Sequence, residues 1–251
     1  MTLPIWLEAG LWGLLAGGAL VIGAAVAWLV PVSQKVVAAV MAFGAGVLIS
    51  ALSFDLLDDA ERMGGLGPTL GGFLAGAVTY VAANVVLARY GARHRKRSQD
   101  QQPSEDEDAN SGAAIAVGAL LDGVPESVVL GISLLGGSGV GLPVLAAIFI
   151  SNLPEGLSSA AGMKRNGRSA RYVFGVWTGI AVASGIAGLL GCLLLEGAPP
   201  GLVAGITAVA AGAILAMIAD TMIPEAFEVA QFYSGLIATL GFATAFAIGH
   251  L

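Results

Sequence analysis

Eight long apolar runs, separated by polar breaks, organise this chain of 251 residues: about 5–29, 34–57, 69–91, 112–135, 140–163, 171–195, 201–225 and 231–250. A helix needs about 20 mostly apolar residues to cross the hydrocarbon core of a bilayer, and each run meets that length. Most breaks are short and hold Pro, Gly or charge: Pro31 to Lys35, Gly64 to Pro68, Gly136 to Gly141, Lys164 to Arg171 and Gly197 to Gly201. The pattern predicts an all-α integral membrane protein, a single transmembrane domain over residues 1–251 with eight helices. One connection is long. Residues 92–111, between the third and fourth runs, pass from a basic stretch (R-H-R-K-R) to an acidic one (E-D-E-D) and read as a solvated loop.

The basic residues orient these spans, because loops on the cytoplasmic side carry an excess of Lys and Arg. With the N-terminus outside, Lys35, Arg89, Arg93, Arg95, Lys96, Arg97, Lys164, Arg165, Arg168 and Arg171 all fall on the cytoplasmic side and only Arg62 falls outside. The expectation is a multi-pass protein of the plasma membrane with both termini extracytoplasmic. No basic segment precedes the first run, so residues 5–29 read as a retained span rather than a cleaved leader.

Composition agrees. The chain is 57% hydrophobic and 11% charged, against about 25% charged in soluble domains. Its 37 glycines suit helices that pack closely through small side chains. Cys192 is the lone cysteine, which excludes an intramolecular disulfide and a thiolate metal site. A lipid bilayer is the expected surrounding, and no nucleic-acid partner is called for. Trp6, Trp12, Trp28 and Trp177 read as interfacial anchors or packing residues, His94 as a solvated member of the basic run, and His250 as uninformative.

The candidate chemistry lies in two near-copies, D-G-V-P-E-S at 122–127 and S-N-L-P-E-G at 151–156. Each puts a polar residue four positions before a Glu that follows a Pro, so the two polar groups share a helix face. Asp122 and Glu126 project together from the fourth run, Ser151 and Glu155 from the fifth, with Asn152 beside them. Pro125 and Pro154 remove backbone donors and free the carbonyls of Leu121 and Ile150. Freed carbonyls at membrane depth are tolerated where they line a cavity. Ionisable residues within spans are costly and mark ion paths or partners. Asp122, Glu126 and Glu155 have no Lys or Arg in their own spans, so a cation from outside the chain is the expected compensation. Its arrival would displace protons. The alternative is a proton-sharing cluster that only locks two helices together.

The two motifs lie on adjacent spans that cross in opposite directions, the layout of inverted-repeat transporters. The second and seventh spans also end alike, with D-L-L-D-D-A at 55–60 and T-M-I-P-E-A at 221–226. Asp55, with Asp58, Asp59 and Glu61, forms an acidic cluster suited to gathering cations at an entrance, or simply a solvated helix end. Asp220 and Glu225 are candidates for an exit path or ordinary interfacial acids, with Glu228 beyond them.

Together these features resemble the ZIP (Zrt/Irt-like) family of divalent metal transporters. Its members are similar in having eight spans, both termini outside and a long cytoplasmic loop after the third span. F-G-A-G-V-L-I-S at 43–50 looks like the family's second span, and A-D-T-M-I-P-E-A at 219–226 like its seventh. The resemblance implies a metal site, often binuclear, in the fourth and fifth spans, with Glu126 and Glu155 as central ligands. It also implies a homodimer and an alternating motion of spans one, four, five and six against the rest.

This chain departs from the family pattern, as a divergent prokaryotic-type member would. Asp122 stands where a His is usual, Gly123 where an Asn is usual, and Ser151 where a His or Gln is common; Asn152 keeps a polar ligand. The sixth span offers only Ser184 near the place of a further ligand, and the long loop lacks a His run. Trading imidazole for carboxylate and hydroxyl hardens the site towards manganese, magnesium or calcium, while zinc also binds carboxylates. The reading is therefore a transporter that carries a divalent metal (zinc, manganese, iron or similar) into the cytoplasm. The metal is the substrate, with no tightly bound cofactor. Its site is Asp122, Glu126, Ser151, Asn152 and Glu155, and its path runs past Asp55, Ser184, Asp220 and Glu225. Competing readings are an ion-binding or sensing protein of the same fold and, less well supported, an intramembrane enzyme. The Tyr-Asp and Gly-x-Gly-Asp settings of an intramembrane aspartyl protease do not occur, so no enzyme is expected.

Overall fold

The computed structural model describes residues 3–89, 111–136 and 141–250, and among them every regular element is helical. The long loop expected over 92–111 lies outside the described residues except for Ser111. In chain order the helices are α1 (Ile5–Leu29), α2 (Gln34–Ala51), α3 (Leu57–Gly64), α4 (Leu66–Ala88), α5 (Ser111–Ser133), α6 (Leu142–Arg165), α7 (Ala170–Leu195), α8 (Pro200–Met217), α9 (Ile223–Ala230) and α10 (Tyr233–Ile248).

Among the described residues, seven spans are long and apolar enough to cross a membrane, with α2–α3 and α8–α9 each counting as one continuous span of 31 residues. The eighth expected span is shorter. α10 is apolar but has 16 residues, because the chain turns at Gln231 (φ 45°) before it and at Gly249 after it. At about 1.5 Å per residue it reaches about 24 Å, short of an average hydrocarbon core of about 30 Å. The apolar surface identifies a multi-pass membrane protein: leucines and valines such as Leu70, Leu74, Val78 and Leu194 are exposed along the helices, where lipid replaces water.

Local chemistry sets the helix ends. Ser33 and Ser169 cap α2 and α7, accepting hydrogen bonds from the backbone N–H of Val36 (3.4 Å) and Tyr172 (3.2 Å). The second span runs to Gly64, beyond the end expected near residue 57, because the charged face of D-D-A-E-R continues the helix past its apolar part. Gly65, at φ 76°, then makes the sharp turn into α4, a conformation that needs no Cβ.

The sequence places its helix-breaking signals in the fourth and fifth spans, yet the helical assignment continues through Pro125 and Pro154. The irregular backbone lies elsewhere. The π-helical turns Leu52–Leu56 and Ile218–Met222 interrupt the second and seventh spans. Both spans are built alike: 18 residues of α-helix, five of π-helix and eight of α-helix. The similar hexapeptides 55–60 and 221–226 fall at the same place in each, starting at the fourth residue of the π turn. π-Turns inside helices recur at functional positions, and these carry Asp55 and Asp220.

Packing divides the helices. α1 packs extensively on α6 and α7, and α7 on α5; α4 packs on α8, and α2 on α10. The chief joins between these groups are α2 with α6 and α5 with α8. Glycine permits the closest approach. A Cβ at Gly23 of α1 would collide with the carbonyl oxygen of Leu153, and one at Gly156 of α6 with that of Leu20. α1 is thereby pressed against the turn that carries Glu155. A large apolar core, including Met41, Leu48, Leu130, Ile148, Ile214 and Met222, fills the space between α2, α5, α6 and the seventh span.

Candidate intramembrane carboxylate site

The five polar residues singled out as the site are all buried. Asp122, Glu126 and Ser151 are 1% exposed, and Asn152 and Glu155 are 4% exposed. α5 contributes Asp122 and Glu126, and α6 contributes Ser151, Asn152 and Glu155; the two helices touch each other only slightly, and both pack on α1. α2 backs the second motif closely, since a Cβ at Gly44 would stand 3.2 Å from Ser151 Cα and 3.4 Å from Pro154 Cγ. That contact accounts for Gly44 of the F-G-A-G stretch, while Gly46 meets the Ala238 carbonyl of α10.

The hydrogen bonds separate these residues by role. The Tyr80 hydroxyl of α4 donates to Asp122 Oδ1 at 2.7 Å, a fully buried contact. The Asn152 amide nitrogen donates to the Ala16 carbonyl of α1 at 3.0 Å. The Ser151 hydroxyl donates to its own helix at Ile148 O, 2.9 Å, and Ser127 does the same at Gly123 O, 2.8 Å. A hydroxyl that donates this way keeps lone pairs with which to accept or coordinate.

One turn beyond Glu155, the Ser158 hydroxyl donates to Glu225 Oε1 at 3.1 Å, tying α6 to α9. Ser158 and Glu225 are 0% and 3% exposed. Of the proposed path residues, Glu225 therefore adjoins the α6 motif face through Ser158. Asp220 stands apart and exposed, where the Asn84 amide reaches Asp220 Oδ2 at 3.4 Å. Asp55 is half-buried and lines a cavity at the far end of the second span. Ser184 is buried on α7 next to the first motif: a Cβ at Gly123 would lie 3.6 Å from its Oγ, an ordinary contact. Gly123 is thus not required by space.

Sequence reading missed Tyr80 and Ser158. For Ser158 the signal was present, since it lies three residues after Glu155 on the same helix face. For Tyr80 it was weaker: a tyrosine deep in an apolar span, away from the interface where its hydroxyl is normally satisfied, needs a polar partner inside the bundle.

Among the described residues, no three His, Cys, Asp or Glu side chains come together in a group able to hold a metal ion. In this conformation Asp122 is held by Tyr80 of α4. Charge is the remaining fact. From Ser111 to Met163 there is no Lys or Arg, and the basic residues of α6, Lys164 and Arg165, stand in its last turn.

No protein-family model matches the chain, and no curated protein matches it.

Proposed function

We propose that this chain carries a divalent metal cation across a membrane, with Glu126 and Glu155 as its central ligands. The observation behind this reading is the burial of three carboxylates, Asp122, Glu126 and Glu155, within the membrane-length helices α5 and α6, in a stretch with no Lys or Arg from Ser111 to Met163. Carboxylates sharing a site of low dielectric are most readily compensated by a cation, and a divalent ion compensates two at once. Ser151 and the carbonyl oxygen of Asn152 complete an oxygen-rich set that suits hard ions such as manganese or magnesium and still accommodates zinc.

The reading follows the likeness of D-G-V-P-E-S and S-N-L-P-E-G to the motifs of ZIP transporters. It takes the orientation from the Lys and Arg bias, with uptake towards the basic side. The ion enters past Asp55 and leaves past Glu225 and Asp220. Two hydrogen bonds then mark where the bundle must part. Tyr80–Asp122 joins α4 to α5, and Ser158–Glu225 joins α6 to α9, so each links a helix of the α1, α5, α6 and α7 group to one outside it. Sliding of that group against the rest breaks both and frees Asp122 to turn towards Glu126. The twin π turns in the second and seventh spans supply matching points of give in an inverted pair.

Asp122 in the place of the family's usual His favours one second reading, a protein of this fold that holds an ion without moving it. Vesicles containing the purified protein separate the two. Uptake of manganese, zinc, iron, cobalt, cadmium and magnesium is measured for the wild type and for Glu126→Ala with Glu155→Ala. Carrier function requires flux of at least one metal, abolished in the variant. Saturable binding without flux establishes the second reading.

A further inference from the structure

Positive charge gathers where α6 passes into α7. Lys164 and Arg165 close α6, Arg168 stands in the turn that follows, and Arg171 lies in the first turn of α7. No Asp or Glu occurs from Gly156 to Leu195, nor from Ala9 to Phe54, so α7, α2 and nearly all of α1 hold nothing to answer this charge. Lys164, Arg165 and Arg171 are exposed, whereas Arg168 is 8% exposed and lies over the Tyr172 ring at 5.0 Å. Aromatic side chains fix the cluster in place. Lys164 Nζ donates to the Trp28 carbonyl at 2.6 Å and stands 5.3 Å over the Trp28 ring, which meets Phe174 edge to face at 6.3 Å. The ends of α1 and α6 are thereby tied to the start of α7, with the Trp, Tyr and Lys/Arg mixture that marks a bilayer–water interface. An ammonium has three donors, so Lys164 keeps donors for an anion after serving Trp28.

The outer face of α7 continues from this charge towards the bilayer interior. Arg171, Gly175, Gly179, Val182 and Ile186 follow one another at three- and four-residue spacing on one face, and all are exposed. A Cβ at Gly175 or at Gly179 would meet nothing within 4 Å, so the two glycines leave the helix surface recessed, with Val182 and Ile186 beyond them. Cations at the membrane surface, a recess one and two turns deeper and branched aliphatics below it match the profile of a phospholipid from phosphate to acyl chain.

We propose that this face binds an anionic phospholipid from the leaflet at the basic end of the bundle: its phosphate held by Arg171, Lys164 and Arg165, its glycerol ester region in the recess at Gly175 and Gly179, and an acyl chain along Val182 and Ile186. Basic groups at the ends of membrane helices take anionic head groups in this way. Charge selects the lipid, because phosphatidylcholine brings an ammonium of its own that the cluster repels. A soluble phosphate satisfies the cations but leaves the recess and the aliphatic face uncovered. The inference stands apart from the transport reading, because it uses none of the residues of the α5 and α6 motifs.

The test uses the full chain, delipidated in detergent and titrated under native mass spectrometry with dioleoyl-phosphatidylglycerol, dioleoyl-phosphatidylcholine and soluble glycerol 1-phosphate. The wild type binds its first phosphatidylglycerol about tenfold tighter than its first phosphatidylcholine, from the pull of surface Lys and Arg on net negative charge. Lys164→Gln, Arg165→Gln and Arg171→Gln together bring the two lipids to within about twofold of each other. Unchanged phosphatidylcholine binding shows that this variant has folded. Gly175→Leu with Gly179→Leu fills the recess and weakens the first phosphatidylglycerol at least about threefold with every cation still in place. Equal affinity of the two lipids for the wild type, a preference that survives loss of the three cations, or filling of the recess without effect overturns the proposal. So does glycerol 1-phosphate that binds as tightly as the lipid, which makes this a site for a soluble anion. A dimer that the double glycine variant converts to monomer also overturns it, by giving the face to a second copy of the chain.

Discussion

Replacing Tyr80 by Phe tests the charge on Asp122, because the strength of their hydrogen bond depends on it. The bond is short, 2.7 Å, and buried at both ends, with Tyr80 and Asp122 each 1% exposed. Between neutral side chains inside membrane proteins such a bond is worth about 0.6 kcal/mol on average, with a maximum near about 1.7. A bond to a charged group is worth about 1.5–3 kcal/mol. The proposed site needs Asp122 as a carboxylate, and the hydroxyl is the donor that sustains that form before the cation arrives. A cycle of Tyr80→Phe, Asp122→Asn and the double variant isolates the bond, since Asn keeps the shape and an acceptor oxygen but no charge. Reversible unfolding of the metal-free protein in mixed micelles should show Tyr80→Phe losing about 1.5–3 kcal/mol in the wild-type background. In the Asp122→Asn background the loss should fall to about 0.6 kcal/mol. Equal losses of about 0.6 kcal/mol in both backgrounds would mean that Asp122 is already neutral, and the demand for a cation at this residue would disappear.

Further expectations are more direct. Asp122→His combined with Gly123→Asn should shift metal preference towards zinc, read by competitive uptake; a Cβ at 123 has room, 3.6 Å from Ser184 Oγ. Ser158→Ala removes the bond to Glu225 Oε1 and leaves a buried carboxylate with one donor fewer, which should cost about 1–3 kcal/mol of stability in the same unfolding assay. Gly156→Ala drives a methyl into the Leu20 carbonyl and should destabilise by about 1–3 kcal/mol or more. Gly175→Ala, which meets nothing within 4 Å, should be neutral or slightly stabilising, so equal melting temperatures for the two would refute the close α1–α6 contact.

The helices were legible in the sequence because a bilayer demands about 20 apolar residues per crossing, and the short Pro- and Gly-containing breaks follow from that demand. The last span was overestimated since hydropathy continues through Phe232 and Gly249, where the backbone leaves the helix. The π turns were not legible at all: L-S-F-D-L and I-A-D-T-M contain no residue that forbids an α-helix, whereas Pro125 and Pro154, which do, sit in assigned helix. Burial of Asp122, Glu126 and Glu155 followed from their four-residue spacing within apolar runs. What spacing could not give was direction across the bundle. Asp122 meets Tyr80, 42 positions away, and Glu225 meets Ser158, 67 positions away, contacts that depend on which helices adjoin.

The central claim, that Glu126 and Glu155 hold a divalent cation, is met most directly by equilibrium binding of manganese to the purified, metal-free protein. Bound and free ion are followed by electron paramagnetic resonance, and protons by a pH-sensitive dye. The account predicts saturable binding at one site per chain, accompanied by proton release, and lost in Glu126→Gln with Glu155→Gln. Saturable binding that survives the double substitution, or none in the wild type for manganese and for zinc, would contradict it.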